Sequence, residues 1–117
     1  MRDGSGERVR LIGFDTPESG KPDTPVQCFA EEASHFAEQL LKGRRVRLVR
    51  DVEEPDRDGR LLAYAYREPD DLFVNAELVR QGYARTATFP PNVRFVDELA
   101  ALARQAREAG RGLWNRC

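Results

Sequence analysis

A short stretch near the amino terminus of the chain, Arg8–Glu18, combines basic, acidic and apolar residues at alternating positions. Arg10 falls on a predicted strand, and Asp15 and Glu18 fall on the turn that follows it, where Pro17 fixes the backbone. One arginine and two acids at a rigid strand end can hold a hard cation and an anionic group together, which is the chemistry of phosphodiester cleavage. An ordinary turn, in which Asp15 bonds to its own backbone, remains an alternative on these residues alone.

A second basic residue, Arg60, follows a strong turn signal, Asp58-Gly59, that separates two alternating segments. The alternation predicts strands over Arg45–Val49 and Arg60–Tyr66, which this turn joins into a hairpin. Arg60 is therefore either a functional residue or a solvated strand end.

The composition predicts one globular domain that spans residues 1–117, since 40% of the residues are hydrophobic and the chain is long enough for a core. The formal net charge of −1 differs from that of a generic basic nucleic-acid-binding protein, so any attraction for nucleic acid must be local. No apolar run is long enough for a transmembrane helix, and no membrane partner is expected. Residues 1–7 contain no apolar segment, so no signal peptide is expected in this chain.

Three helices are predicted from apolar residues that recur every three or four positions, over about residues 28–42, 74–81 and 92–109. Asn92 is the predicted N-cap of the last helix, and Ala100 is predicted on its buried face. Segregated strands and helices in a small domain indicate the α+β class.

Four blocks of the chain, in this order, resemble the staphylococcal-nuclease-like (thermonuclease) family: Arg10–Glu18, Asp56–Tyr64, Val74–Gly82 and Gly112–Trp114. The resemblance implies an OB-fold-type five-stranded β-barrel packed with three helices. It also implies a calcium-dependent nuclease that hydrolyses DNA, RNA or both, as single strands or locally melted duplexes.

The resemblance assigns roles to five residues. Arg10 and Arg60 would clamp the phosphate, and Glu18 would orient or deprotonate the attacking water. Ca²⁺ would be held by the side chain of Asp15 and the backbone carbonyl of Thr16.

The chain departs from the family pattern at three places. Only nine residues precede Arg10, where the family has one or two strands and a further calcium-binding aspartate, so the first strand of the barrel is either absent or supplied from elsewhere. Asp58 stands where the family commonly has a tyrosine, and no phenol occurs near Thr88. Arg57 and Phe89 remain candidates for contacts with nucleic acid, Phe89 by stacking on a base.

These departures support an alternative function, a catalytically weakened OB-type module that binds nucleic acid or protein. A monomer is expected unless a second copy supplies the missing edge strand.

The chain contains two cysteines, Cys28 and Cys117, which are compatible with either a disulfide or two free thiols. Relatives in the family carry the same Pro-Val-x-Cys-Phe and Gly-Leu-Trp-x-x-Cys segments, so the resemblance implies a Cys28–Cys117 disulfide. Such a bond implies an oxidising compartment, and hence a secreted or periplasmic protein.

Overall fold

One long strand organises the sheet because it pairs with three neighbours. In the computed structural model, which describes residues 8–17, 27–51 and 59–117, this strand is β4 (Leu61–Arg67). It pairs in parallel with β1 (Val9–Leu11) and antiparallel with β3 (Val46–Arg50) and β5 (Leu72–Phe73). The antiparallel β3–β4 pair confirms the predicted pairing of these two strands, whereas Asp58 of the predicted turn lies outside the described residues.

A smaller antiparallel sheet follows directly from β1. The strand β2 (Phe14–Asp15) pairs with β6 (Arg85–Thr86), and the chain turns between β1 and β2 at Gly13, where φ is +92°. A Cβ at Gly13 would lie 2.5 Å from Cδ1 of Leu99, so this turn requires glycine for both its conformation and its space.

The predicted α+β class is confirmed, but the larger sheet does not close into a barrel within the described residues, because β1 pairs only with β4 there.

The three predicted helices are confirmed with modest differences in their bounds: α1 (Ala30–Leu41), α2 (Val74–Arg80) and α3 (Val96–Glu108). A fourth, short helix, α4 (Leu113–Arg116), follows α3 and was not predicted. Among the described residues, no helix combines the length and the apolar composition needed to cross a membrane.

The predicted start of the last helix is wrong, because α3 begins at Val96 rather than at Asn92. The N–H of Asn92 donates to the carbonyl of Phe89 at 2.8 Å, so Asn92 closes a tight turn instead of capping a helix. Asn92 is buried, at 5% exposure. The prediction that Ala100 is buried is also wrong: the buried positions of α3 are Leu99, Ala103 and Ala106, and Ala100 is exposed.

A buried asparagine fixes β1 against β4 and α2. The Asn75 side chain is fully buried; its Nδ2 donates to the carbonyl of Ile12 at 2.8 Å, and its Oδ1 accepts from the N–H of Ala65 at 2.8 Å. Such a satisfied buried amide holds the end of β1 in one place. The short strand β2, which carries Asp15, therefore starts from a rigid point, and the prediction that Asp15 lies on a turn is wrong.

Candidate active site

The parallel pairing of β1 with β4 brings two distant arginines to the same side of the sheet. Arg10 lies opposite Leu62 in the register. Side chains alternate between the two sides of a sheet along a strand, so residues two positions apart face the same side. Arg60 lies two positions before Leu62, and it therefore faces the same side of the sheet as Arg10. The N–H of Leu61 donates to the carbonyl of Arg8 at 2.8 Å, which extends the pairing toward Arg60.

These two arginines and the Asp15–Thr16 segment meet at one cleft of about 580 Å³. Its polar wall is formed by Arg8, Arg10, Asp15, Thr16 and Arg60. Its apolar lining is formed by Val9, Leu11, Phe14, Ala37, Leu41 and Leu78. We call this the arginine cleft.

Arg10 is held in the arginine cleft by two contacts. Its Nη2 donates to Oδ1 of Asp15 at 2.6 Å, and its guanidinium lies 4.9 Å from the centre of the Phe89 ring. The Arg10 side chain is 28% exposed and that of Asp15 is 58% exposed, so the pair faces solvent in part. A cation–π contact of this kind contributes about 0.5–1 kcal/mol at an exposed site. Phe89 therefore contacts a phosphate-binding candidate, and its stacking on a base remains a prediction.

The Asp15–Thr16 segment offers oxygen donors, which suit calcium. Among the described residues, the lining of the arginine cleft offers one carboxylate, that of Asp15, beside three arginines. Over residues 8–17, 27–51 and 59–117, however, no group of three or more His, Cys, Asp or Glu side chains comes together to hold a metal ion.

Two predicted site residues, Glu18 and Arg57, lie outside the described residues, as does Asp58. Their assignments remain predictions from the sequence.

The predicted Cys28–Cys117 disulfide is present, with the two Cα atoms 6.0 Å apart. It forms one wall of a second cleft of about 290 Å³, which also contains Asp15, Thr16 and Arg85. We call this the disulfide cleft. The Asp15–Thr16 segment is thus a wall shared by both clefts.

Sequence reasoning missed Arg85. In the β2–β6 pair it lies directly opposite Asp15, and its guanidinium lies 4.6 Å from the centre of the Trp114 ring. The predicted extended segment around Arg85 and the Gly-Leu-Trp block were both visible in the sequence. Only the long-range pairing of β2 with β6 relates them to the Asp15–Thr16 segment.

A buried tyrosine ties the end of β3 to the segment before α3. The Tyr64 hydroxyl donates to Oδ2 of Asp51 at 2.7 Å, and the same oxygen accepts from the N–H of Arg94 at 3.0 Å. Burial, followed by the hydrogen bond to Asp51 and the charge of Asp51, raises the pKa of Tyr64 well above its ordinary value.

Comparisons with known proteins find related chains. The family model described as "Staphylococcal nuclease homologue" matches residues 8–116, and it confirms the predicted OB-type fold class. The chain is 42% identical over 115 residues to a thermonuclease of Staphylococcus intermedius, covering 98% of this chain and 67% of that protein. It is 37% identical over 114 residues to a thermonuclease of Staphylococcus hyicus, covering 97% and 66%.

A third relative, the endonuclease YncB of Bacillus subtilis (strain 168), is 32% identical over 115 residues, which cover 97% of this chain and 54% of that protein. The chain thus spans about two thirds of the length of the two staphylococcal relatives and about half of the third.

Proposed function

This chain belongs to the staphylococcal nuclease family, and we propose that it hydrolyses phosphodiester bonds of DNA, RNA or both in a calcium-dependent reaction. The observation that supports this function is the single cleft lined by Arg10, Arg60, Asp15 and Thr16. A single-stranded or locally melted nucleic acid is the substrate that we propose.

Arg10 and Arg60 bind the phosphate that is attacked. Their planar guanidinium groups carry N–H donors whose arrangement suits the oxygens of a phosphate. Negative charge grows on the phosphate oxygens in the transition state, so two fixed cations stabilise the transition state more than the ground state.

Calcium would be held by the Asp15 carboxylate and the Thr16 carbonyl. When bound, it supplies positive charge beside a phosphate oxygen. Calcium takes about six to eight oxygen ligands, so water and substrate oxygens would have to supply others.

Glu18 orients the attacking water and accepts its proton. This role is the one that the resemblance to the family assigns to Glu18. A carboxylate is a suitable general base for activating water.

The Cys28–Cys117 disulfide supports an oxidising compartment, so we place the protein outside the cytoplasm, secreted or periplasmic.

A second candidate, a nucleic-acid-binding module with weakened catalysis, is favoured by one observation. Among the described residues, Asp15 supplies the one carboxylate that lines the arginine cleft, and this carboxylate already accepts a hydrogen bond from Arg10.

Digestion of single-stranded DNA, with calcium and then with a chelator, tests the proposed function. We expect cleavage that depends on calcium, and Arg60→Ala and Glu18→Gln should each abolish it while the far-ultraviolet circular dichroism is unchanged. Arg104→Ala removes an equal charge from an exposed position on α3 that lines neither cleft, and it should cleave normally. A folded chain that binds the DNA but does not cleave it at high protein concentration would favour the binding module.

A further inference from the structure

Arg85 projects from a strand that forms part of the candidate active site, but the proposed reaction does not use it. It is exposed, and it lies opposite Asp15 in the β2–β6 pair. It also lines the disulfide cleft beside Asp15 and Thr16. Arg85 therefore lines a cleft that shares Asp15 and Thr16 with the arginine cleft.

The side chain of Arg85 is oriented by an aromatic ring. Its guanidinium lies 4.6 Å from the centre of the Trp114 ring, and the guanidinium of Arg107 lies 5.9 Å from the same centre. Among the described residues, the structure shows the Trp114 ring as the partner of the Arg85 guanidinium. Within those residues, no ion pair or hydrogen bond joins this guanidinium to a carboxylate. An arginine stacked by its flat face keeps its N–H donors available at the edge.

The negative charge of Asp15, which lies opposite Arg85, is partly offset, so it repels a bound anion less than a free carboxylate would. The Asp15 carboxylate accepts from Arg10 at 2.6 Å, and this contact offsets its negative charge. Arginines thus lie on both sides of the Asp15–Thr16 segment: Arg10 and Arg60 in the arginine cleft, and Arg85 in the disulfide cleft.

We propose that Arg85 forms a second phosphate subsite, which binds a phosphate next to the one that is cleaved. A nucleic acid strand carries one negative charge per nucleotide, so a strand that crosses the Asp15–Thr16 segment presents phosphates to both clefts. This inference rests on the proposed function, because it concerns the same substrate. It makes Arg85 a binding residue that selects polynucleotides over a single isolated phosphodiester.

A purely structural role for Arg85, as a support for Trp114, makes different predictions. A support would change stability when removed but would leave the number of phosphate contacts unchanged. The number of contacts can be measured, because the logarithm of the binding constant falls linearly with the logarithm of salt concentration, with a slope of about −0.7 for each phosphate contact on a single strand.

The first test measures binding of a fluorescent single-stranded oligonucleotide by anisotropy between about 50 and 200 mM salt, with chelator present to prevent cleavage. Arg85→Ala should make the salt slope shallower by about 0.7, and Arg85→Lys should keep the slope because it keeps the charge. Arg104→Ala, the matched loss of an exposed arginine, should leave the slope unchanged. The melting temperatures of all variants report any change in stability separately.

The second test compares an oligonucleotide with a dinucleoside monophosphate, which has one phosphodiester and no neighbouring phosphate. With calcium present, Arg85→Ala should raise KM for the oligonucleotide several-fold with kcat little changed, which is the signature of lost uniform binding. The same variant should cleave the dinucleoside monophosphate as the unmodified protein does.

The outcomes separate the two proposals. If the unmodified protein cleaves the oligonucleotide but Arg85→Ala has the slope and KM of Arg104→Ala, the subsite is overturned and the nuclease function stands. An equal loss on both substrates would also overturn the subsite, because it would place Arg85 at the cleaved phosphate or in the fold. If the unmodified protein neither binds nor cleaves the oligonucleotide, the proposed function fails and the subsite fails with it.

Discussion

Arg10 and Asp15 are joined by a hydrogen bond of 2.6 Å between Nη2 and Oδ1, so the phosphate-binding and calcium-binding candidates contact each other. In the proposed reaction Arg10 turns to a phosphate and Asp15 to a cation. Each ligand therefore competes with the ion pair when it binds alone, and the two ligands should favour each other's binding.

Calcium binding in the absence of nucleic acid should be stronger in Arg10→Ala than in the unmodified protein. The variant frees the Asp15 carboxylate from an exposed ion pair that is worth about 0.2–1 kcal/mol, which corresponds to about 1.4- to 5-fold in affinity. Titration calorimetry with CaCl₂ measures this change. The same variant should lose cleavage, because it lacks one phosphate-binding cation.

Arg104→Ala is the control for the loss of one positive charge, since Arg104 is exposed and lines neither cleft. Weaker calcium binding by Arg10→Ala than by this control would contradict a calcium site at Asp15.

Phe89→Ala should lower the rate of cleavage by releasing Arg10 from the ring that lies 4.9 Å from its guanidinium. The lost contact is worth about 0.5–1 kcal/mol, so kcat/KM should fall about 2- to 5-fold. Phe89→Leu keeps much of the apolar volume and removes the π face, so it should lose nearly as much activity. Full activity in Phe89→Leu with a loss in Phe89→Ala would show that packing, rather than the cation–π contact, holds Arg10.

Much of the fold could be predicted because its signals are local. The β3–β4 hairpin follows from alternation around Asp58-Gly59, and α2 follows from its apolar spacing and from Gly82, where φ is +82°. Asn92 shows the limit of local rules, since a strong N-cap residue closes a turn with Phe89 instead.

The candidate site could be predicted only in part, for a related reason. Arg10, Asp15 and Thr16 are close in sequence, and the family resemblance supplied Arg60; the structure places all four at one cleft. Arg85 enters through the β2–β6 pairing, a contact between distant segments that no periodic pattern encodes.

Gly82→Ala should destabilise the protein far more than Gly43→Ala, although both glycines have positive φ, +82° and +69°. A Cβ at Gly82 would lie 2.3 Å from the carbonyl oxygen of Arg111, whereas a Cβ at Gly43 would meet nothing within 4 Å. The shared backbone penalty is about 1–2 kcal/mol, so the difference between the variants reports the clash. Urea unfolding measures both free energies, and equal losses would contradict the close approach of the two backbone segments.

Cys28→Ser/Cys117→Ser should lower the free energy of unfolding by about 2–5 kcal/mol. The disulfide closes a separation of 89 positions and holds the carboxyl end against the start of α1. The chain-entropy model gives about 4–5 kcal/mol for a loop of this length. Urea unfolding of the oxidised protein and of the double variant measures the loss, and reduction of the unmodified protein by dithiothreitol is the control. Equal stability of the oxidised and reduced forms would show that the bond constrains little.

Tyr64→Phe should make stability less sensitive to alkaline pH. In the folded state burial and the Asp51 carboxylate raise the pKa of Tyr64. As the pH rises, the unfolded chain therefore loses the Tyr64 hydroxyl proton before the folded chain does. The raised pKa contributes stability that is fully present below about pH 10 and is lost as the pH rises from there through the folded pKa. In that range one such proton steepens the fall in the free energy of unfolding by about 1.4 kcal/mol per pH unit.

Urea unfolding between about pH 9 and pH 12 should show this steep fall in the unmodified protein and a shallower one in Tyr64→Phe. Tyr66→Phe is the matched control, because burial also raises the pKa of Tyr66 but no hydrogen bond to a carboxylate is among the causes. Tyr66→Phe should keep most of the fall in the free energy of unfolding with rising pH. At neutral pH Tyr64→Phe should lose only about 1 kcal/mol, the net worth of one hydrogen bond, since Asp51 still accepts from the N–H of Arg94. Parallel pH curves for the unmodified protein and Tyr64→Phe would mean that the Tyr64–Asp51 contact does not hold this proton.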